Sequence, residues 1–278
     1  MRLILLFLFT MSIFSYGENK LHIRKNIPFA IYYGTEKTPD DFKSYDLIVF
    51  DKDYHINFKT LSNAGKTVLG YLSLCEITKT DSYYDEIKNK NLFLSKNEVW
   101  KSDKIDIRKK EWVKYIIDEA IPKILHNNFD GIMIDTIDTA IALENSDPVK
   151  YKGMKQQAIN LIKAIRYNFP QIKIMINRGY ELHSKIIDDV DMILGESVYT
   201  TYDFKSKKYI KRTEEDYKYQ VEKLKAAKTA NPKIEIFTLD YWNEEDRNEI
   251  KKIYQIEDEN EFNPFVSTID LKNLINIK

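Results

Sequence analysis

The sequence predicts an α/β fold: a (β/α)₈ TIM barrel, built as one domain behind an N-terminal signal peptide. Three observations carry that expectation. Eight short, near-continuously apolar runs recur along the 278 residues, most of them separated by stretches of helical period. Such runs mark strands buried on both faces, the habit of parallel sheets covered by helices. The length also suits an α/β barrel, which commonly uses about 250 residues as a single domain. A doubly wound open sheet is the main rival, but it would more often bring a Gly-rich phosphate turn, and only 8 Gly occur.

The elements follow in order. Arg2 precedes an apolar run from Leu3 to Phe14, then Ser15-Tyr16-Gly17 and a polar shift at Glu18. A positive start, about 7–15 apolar residues and small residues before the break describe a secretory signal over residues 1–17. The run falls short of the about 20 residues a spanning helix needs. The barrel domain then takes residues 18–278, and the protein is expected to be secreted or periplasmic, with no stable membrane insertion once the leader is cleaved. An uncleaved N-terminal anchor is the alternative.

The strand candidates are Phe29–Tyr33, Leu47–Phe50, Val68–Leu74, Gly131–Ile134, Ile172–Ile176, Met192–Leu194, Ile234–Leu239 and Phe265–Ile269. Between them, Trp112, Ile116, Ala120 and Ile124 fall at four-residue steps. Met154, Ala158, Leu161, Ile162, Ile165 and Phe169 make a wider stripe, closed by Pro170. Tyr217, Val221 and Leu224 make a third, and Ile250 with Ile253 a shorter one. The longest excursion, Glu76 to Asp130, is expected to hold one helix and a polar, aromatic stretch around Trp100. In a barrel, loops that follow strands build the active-site face.

Composition removes several function classes. The 43 basic and 43 acidic residues balance, and losing the leader removes only Arg2, so no positive field attracts nucleic acid. The runs Lys205–Lys211 and Lys88–Lys90 read as solvated helix or loop faces. A single Cys, Cys75, excludes an internal disulfide and reads as a buried, inert thiol in an apolar strand. Four scattered His and the absence of CxxC or HExxH patterns argue against a zinc site, and no cofactor is expected. The oligomeric state is not legible.

Acids then cluster at one end of the expected barrel. Asp51 closes the second strand, Glu76 follows the third, Asp135 closes the fourth, Glu196 follows the sixth and Asp240 closes the seventh. Asn177-Arg178 closes the fifth and Tyr32-Tyr33 the first. Strand C-termini share one mouth, so these side chains are expected to converge. Acids beside apolar strands are costly unless paired or functional. Glycosidic cleavage needs two carboxyls, one to protonate the leaving oxygen and one to attack or to activate water. Spacing along the chain leaves retention and inversion both open.

The segment Phe129-Asp130-Gly131-Ile132-Met133-Ile134-Asp135-Thr136-Ile137-Asp138 resembles the fourth-strand motif of glycoside hydrolase family 114, the endo-α-1,4-polygalactosaminidase group. Gly70–Ile77 and Ile105–Trp112 resemble its third-strand and Asp-Ile/Val-Arg…Glu-Trp segments. Similar sequences have carried a cysteinyl-tRNA synthetase label, but the chain has no HIGH-like or KMSKS-like segment. The resemblance implies an exported glycosidase acting on polysaccharide or oligosaccharide, amino-sugar polymers included. It implies Asp135 as nucleophile and Glu196 as acid/base, with Asp138 the competing fourth-strand acid. Tyr33, Asp51, Glu76, Asn177 and Asp240 then read as sugar binders, and Arg108 as a partner for Asp106 or Asp135. Trp100, Tyr199, Tyr241 and Trp242 read as stacking platforms. Cys75 stands where the family has Gly, which strains the turn if that position needs positive φ. Two other classes stay open: a binding barrel that has lost catalysis, and a Mg²⁺-dependent enzyme using Asp51, Glu76, Asp135 and Glu196.

Overall fold

The computed structural model describes residues 26–275 apart from His55 and Ser82; the leader read in residues 1–17 lies outside them. Eight parallel strands pair in sequence order. They are β1 (Phe29–Tyr32), β2 (Leu47–Phe50), β3 (Thr67–Ser73), β4 (Gly131–Asp135), β5 (Lys173–Asn177), β6 (Met192–Glu196), β7 (Glu235–Tyr241) and β8 (Asn263–Ser267). All eight expected strands are present, displaced by at most two residues at either end. The displacement has a reason: Asp135, Asn177 and Glu196 are polar, yet they continue the ladder past the apolar runs.

The ring is nearly closed. No ladder joins β8 to β1 among the described residues, and other contacts take its place. The Phe29 ring packs against Phe237 at 4.8 Å and Phe265 at 5.6 Å, so three inward rings occupy the barrel floor. Buried Asn263 accepts from Ile27 N at 2.8 Å and donates to Ile236 O at 2.8 Å, stitching β8 to both neighbours. Above the floor, Tyr33 N donates to Leu271 O at 2.8 Å. Gly131 shows how tightly β4 and β5 approach: a Cβ there would stand 1.9 Å from Lys173 O.

Helices cover the outside wherever the sequence shows 3.6-residue periodicity. Trp112, Ile116, Ala120 and Ile124 are buried along Lys110–His126, which relaxes into a π turn at Ile116–Ala120. Pro122 follows that turn; it has no N–H to donate and so cannot continue the regular ladder. Met154–Asn168, Glu214–Ala230 and Arg247–Glu259 bury the other three stripes. The first βα unit has only the 3₁₀ turn Pro39–Phe42. Among the described residues no helix is long and apolar enough to cross a membrane.

Two excursions depart from expectation. The segment after β3 holds a three-stranded antiparallel sheet, with Ser102–Ile105 between Glu76–Thr78 and Phe93–Asn97. The Lys205–Lys211 run is a β-hairpin rather than a helix or loop face: Thr200–Asp203 pairs with Lys208–Lys211. Both excursions follow strand C-termini, so both rise around the mouth.

Candidate active site

Strand parity decides which side chains reach the mouth. Successive strand residues point to opposite faces. The inward set includes Tyr33, Tyr71, Ser73, Met133, Asp135, Asn177, Leu194, Glu196, Leu239 and Tyr241, and all of these line one cavity of about 750 Å³.

Asp135 and Glu196 are the centre of that cavity. One amide bridges them: Asn177 Nδ2 donates to Asp135 Oδ1 at 2.9 Å and to Glu196 Oε2 at 2.6 Å. The two oxygens therefore lie no farther apart than both bonds laid end to end, about 5.5 Å. With both amide hydrogens committed, Asn177 Oδ1 is left buried without a partner. Two phenols complete the arrangement. Tyr71 donates to Asp135 Oδ2 at 3.0 Å and Tyr241 to Glu196 Oε1 at 2.7 Å. Burial, and then the neighbouring carboxylate charges, push both phenols well above their usual range, so they remain donors. Burial also pushes Asp135 up to about 6, with the charge on Glu196 the next cause; hydrogen bonds from Thr136, Asn177 and Tyr71 oppose the rise. Asp135 is half-buried and lines the cavity.

The backbone bends in the same unusual way at three of these strand ends. Thr136 (φ 64°), Arg178 (φ 54°) and Ser197 (φ 55°) follow Asp135, Asn177 and Glu196 directly, and all are left-handed non-glycine residues. Each such residue costs about 1 kcal/mol or more, and such residues persist where surroundings hold them. Thr136 is held by its hydroxyl, which accepts from Cys75 N at 2.9 Å and donates to Asp135 O at 2.7 Å. Ser197 O is gripped by Arg212 Nε at 3.1 Å and Gln220 Nε2 at 2.8 Å.

The remaining expected residues divide. Asp138 lines the cavity, but its carboxylate accepts from Gly179 N at 3.0 Å and pairs with Arg178 at 3.1 Å. It lies in the first turn of Ile137–Ser146 and is not its cap. Tyr33 and Asp51 line the cavity; Asp51 also accepts from Asp53 N at 2.8 Å, closing its own loop. Glu76 lines it too, yet is buried and occupied by protein donors: Ser102 Oγ, Thr139 Oγ1 at 2.6 Å and Asn97 Nδ2 at 3.2 and 3.3 Å.

Three expectations are corrected. Asp240 has the opposite parity to Leu239 and Tyr241, so it points outward, is 1% exposed and accepts from Tyr199 N and Thr200 N. Tyr199 packs on Tyr217 at 5.3 Å, outside the cavity. Trp242 joins the Ile250–Ile253 cluster behind the wall. Arg108 takes Asp106 of its two expected partners, in a two-point pair at 2.7 and 2.9 Å, and holds the Lys150 and Lys152 carbonyls at 3.1 Å, a loop tie outside the cavity lining. Cys75 is buried and is not among the residues with positive φ, so it replaces glycine without strain. Among the described residues no three His, Cys, Asp or Glu side chains gather as a ligand set for a metal.

Sequence reasoning missed Tyr71, Thr136, Thr139, Asn97 and Ser102. Tyr71 was within reach, because it shares the parity of Ser73 on β3. The others are ordinary hydroxyl and amide residues whose partners lie on distant elements.

The profile of glycoside-hydrolase family GH114 matches residues 18–277. The glycoside hydrolase domain of PelA from Pseudomonas aeruginosa superposes with a TM-score of 0.80 at 19% identity, covering 90% of this chain and 98% of that one. Ega3 from Aspergillus fumigatus, solved in complex with galactosamine, gives 0.66 at 12% identity, covering 91% and 96%. At these identities the likeness speaks for the fold. No curated protein sequence matches the chain.

Proposed function

The chain belongs to glycoside-hydrolase family GH114, and on that premise we propose that it cleaves α-linked polysaccharide with Asp135 as nucleophile and Glu196 as acid/base. The observation that carries this reading is the Asn177 bridge. Retaining glycosidases hold their two carboxyls about 5–5.5 Å apart, whereas inverting ones need about 6.5–9.5 Å for a water. A shared amide that limits one oxygen pair to about 5.5 Å favours retention.

The chemistry follows from the contacts. Glu196 gives its proton to the glycosidic oxygen as Asp135 attacks the anomeric carbon, breaking the C–O bond and forming a glycosyl ester. Glu196, now ionised, takes a proton from water, which attacks the same carbon and frees Asp135. The pair must therefore hold one proton in total, on Glu196. When Glu196 carries it, the repulsion that raises Asp135 disappears and Asp135 ionises more readily. Tyr71 and Asn177 donate to the ionised nucleophile, and Tyr241 orients the acid.

The cavity charge bears on the substrate. Eight carboxylates line it against Lys52, Lys123 and Arg178, and all three cations are already paired, with Asp53, Asp81 and Asp138. A net negative mouth concentrates a cationic chain, as deacetylated amino-sugar polymers are. The apolar leader and the start of the family match at residue 18 support export of a domain spanning residues 18–278.

The test is a reducing-end assay on α-1,4-linked galactosamine polymer, its N-acetylated form and neutral α-glucans. Release from the cationic polymer first, with the α-anomer as the initial product by NMR, is the expected result. Release of the β-anomer would contradict retention, and equal rates on neutral glucans would contradict the charge argument.

A further inference from the structure

An aromatic feature spans the mouth outside the Asp135–Glu196 pair. Large apolar side chains bury themselves by default, yet Trp100 is 53% exposed and Phe204 43%. They sit on different excursions. Trp100 lies on the turn between Phe93–Asn97 and Ser102–Ile105, and Phe204 on the turn between Thr200–Asp203 and Lys208–Lys211. Their rings meet edge to face, 5.1 Å between centroids at 79°. Tyr202 packs on Phe204 at 5.2 Å, stiffening the hairpin side of the contact. The two excursions follow strands three places apart in a ring of eight, so the contact bridges the opening. Trp100 lines the cavity that contains Asp135 and Glu196.

The indole is held in place by a buried carboxylate. Asn97 Oδ1 accepts from Val99 N at 3.2 Å and Trp100 N at 3.4 Å, while its Nδ2 donates to both oxygens of Glu76. Ser102, on the far side of the turn, also donates to Glu76, as does Thr139 from the helix after β4. Glu76 thus fixes the turn to the catalytic wall. Folding alone gains little from ordering a turn that leaves an indole in water. A pyranose ring, with one apolar C–H face, is the partner that such a surface fits.

We propose that Trp100, braced by Phe204, is a sugar-stacking subsite distant from the scissile bond, with Glu76 positioning it through Asn97. The occupant is a pyranose unit further along the chain being cleaved, so this rests on the polysaccharide reading above. Long substrates then bind more tightly than short ones, and the difference belongs to Trp100.

The test uses Glu196→Gln, which leaves the rings in place, titrated by calorimetry with short and long α-1,4-linked galactosamine oligosaccharides. Adding Trp100→Ala should weaken the long oligosaccharides by about tenfold and leave the short ones unchanged. Adding Asn97→Ala instead keeps the indole but releases its turn, and should give a smaller loss confined to the long ones. Equal affinity for long oligosaccharides with and without Trp100 would overturn the subsite. So would an equal loss on short and long, or no length dependence in the parent protein, absence of binding included. The hydrolase reading is judged separately by product release from wild type: binding without cleavage would sink that reading and leave the subsite standing.

Discussion

As the proposed nucleophile, Asp135 must ionise in a place that disfavours charge. Its value of about 6 exceeds the ordinary 3.8. Between those values the native state binds the proton more tightly than the unfolded chain, so stability rises as pH falls through about 6. Above that, the ionised group costs on the order of 2 kcal/mol, discounted for the residue's partial exposure. On the proposed mechanism activity has the opposite sign, because protonation removes the nucleophile. Tyr71→Phe isolates this balance. It removes a 3.0 Å donor to the ionised form, so the acidic limb of kcat/KM should move up by about 1 pH unit. The rate at the optimum should fall less than about tenfold. An unmoved limb would show that Tyr71 does not tune Asp135.

At the level of elements, most of the fold was legible and the side-chain directions were only partly so. Near-continuous apolar runs located all eight strands, because a strand covered on both faces has no polar side to reveal. The small antiparallel sheet escaped notice since its segments, Phe93–Asn97 and Ser102–Ile105, are short and half polar. Asp135 and Glu196 were found by position at strand ends, and parity agrees with that position. For Asp240 position misled: Leu239 and Tyr241 are inward, so the residue between them faces the helices. There it meets Glu257, which is 0% exposed with neither carboxylate oxygen partnered. Burial, followed by the charge on Asp240, raises Glu257 well above its usual range, and burial raises Asp240 to about 6. Ionising this pair opposes folding at neutral pH, and the penalty fades as pH falls through the raised values. Glu257→Gln should therefore raise Tm by a few degrees at pH 8 and progressively less toward pH 5. Melting curves that match wild type at every pH would contradict a strained pair.

On the scale of the whole molecule, the barrel gathers its cavity carboxylates and its exposed aromatic contact on one rim. The floor is apolar, with Phe29, Phe237 and Phe265 in contact. The upper wall holds the carboxylates, and two excursions meet across the opening. Charge balance hid this asymmetry, because 43 acids and 43 bases over the chain say nothing of their distribution. The central claim is that Asp135 and Glu196, and not the neighbouring Asp138, form the cleaving pair. The most direct measurement is reducing-end release from α-1,4-linked galactosamine polymer by wild type, Asp135→Asn, Glu196→Gln and Asp138→Asn, each shown to be folded. The account predicts losses of roughly a hundredfold or more for the first two substitutions and substantial activity for the third, whose carboxylate ties Arg178 and Gly179. Full activity in Asp135→Asn or Glu196→Gln, or an Asp138→Asn protein as inactive as Asp135→Asn, would contradict it.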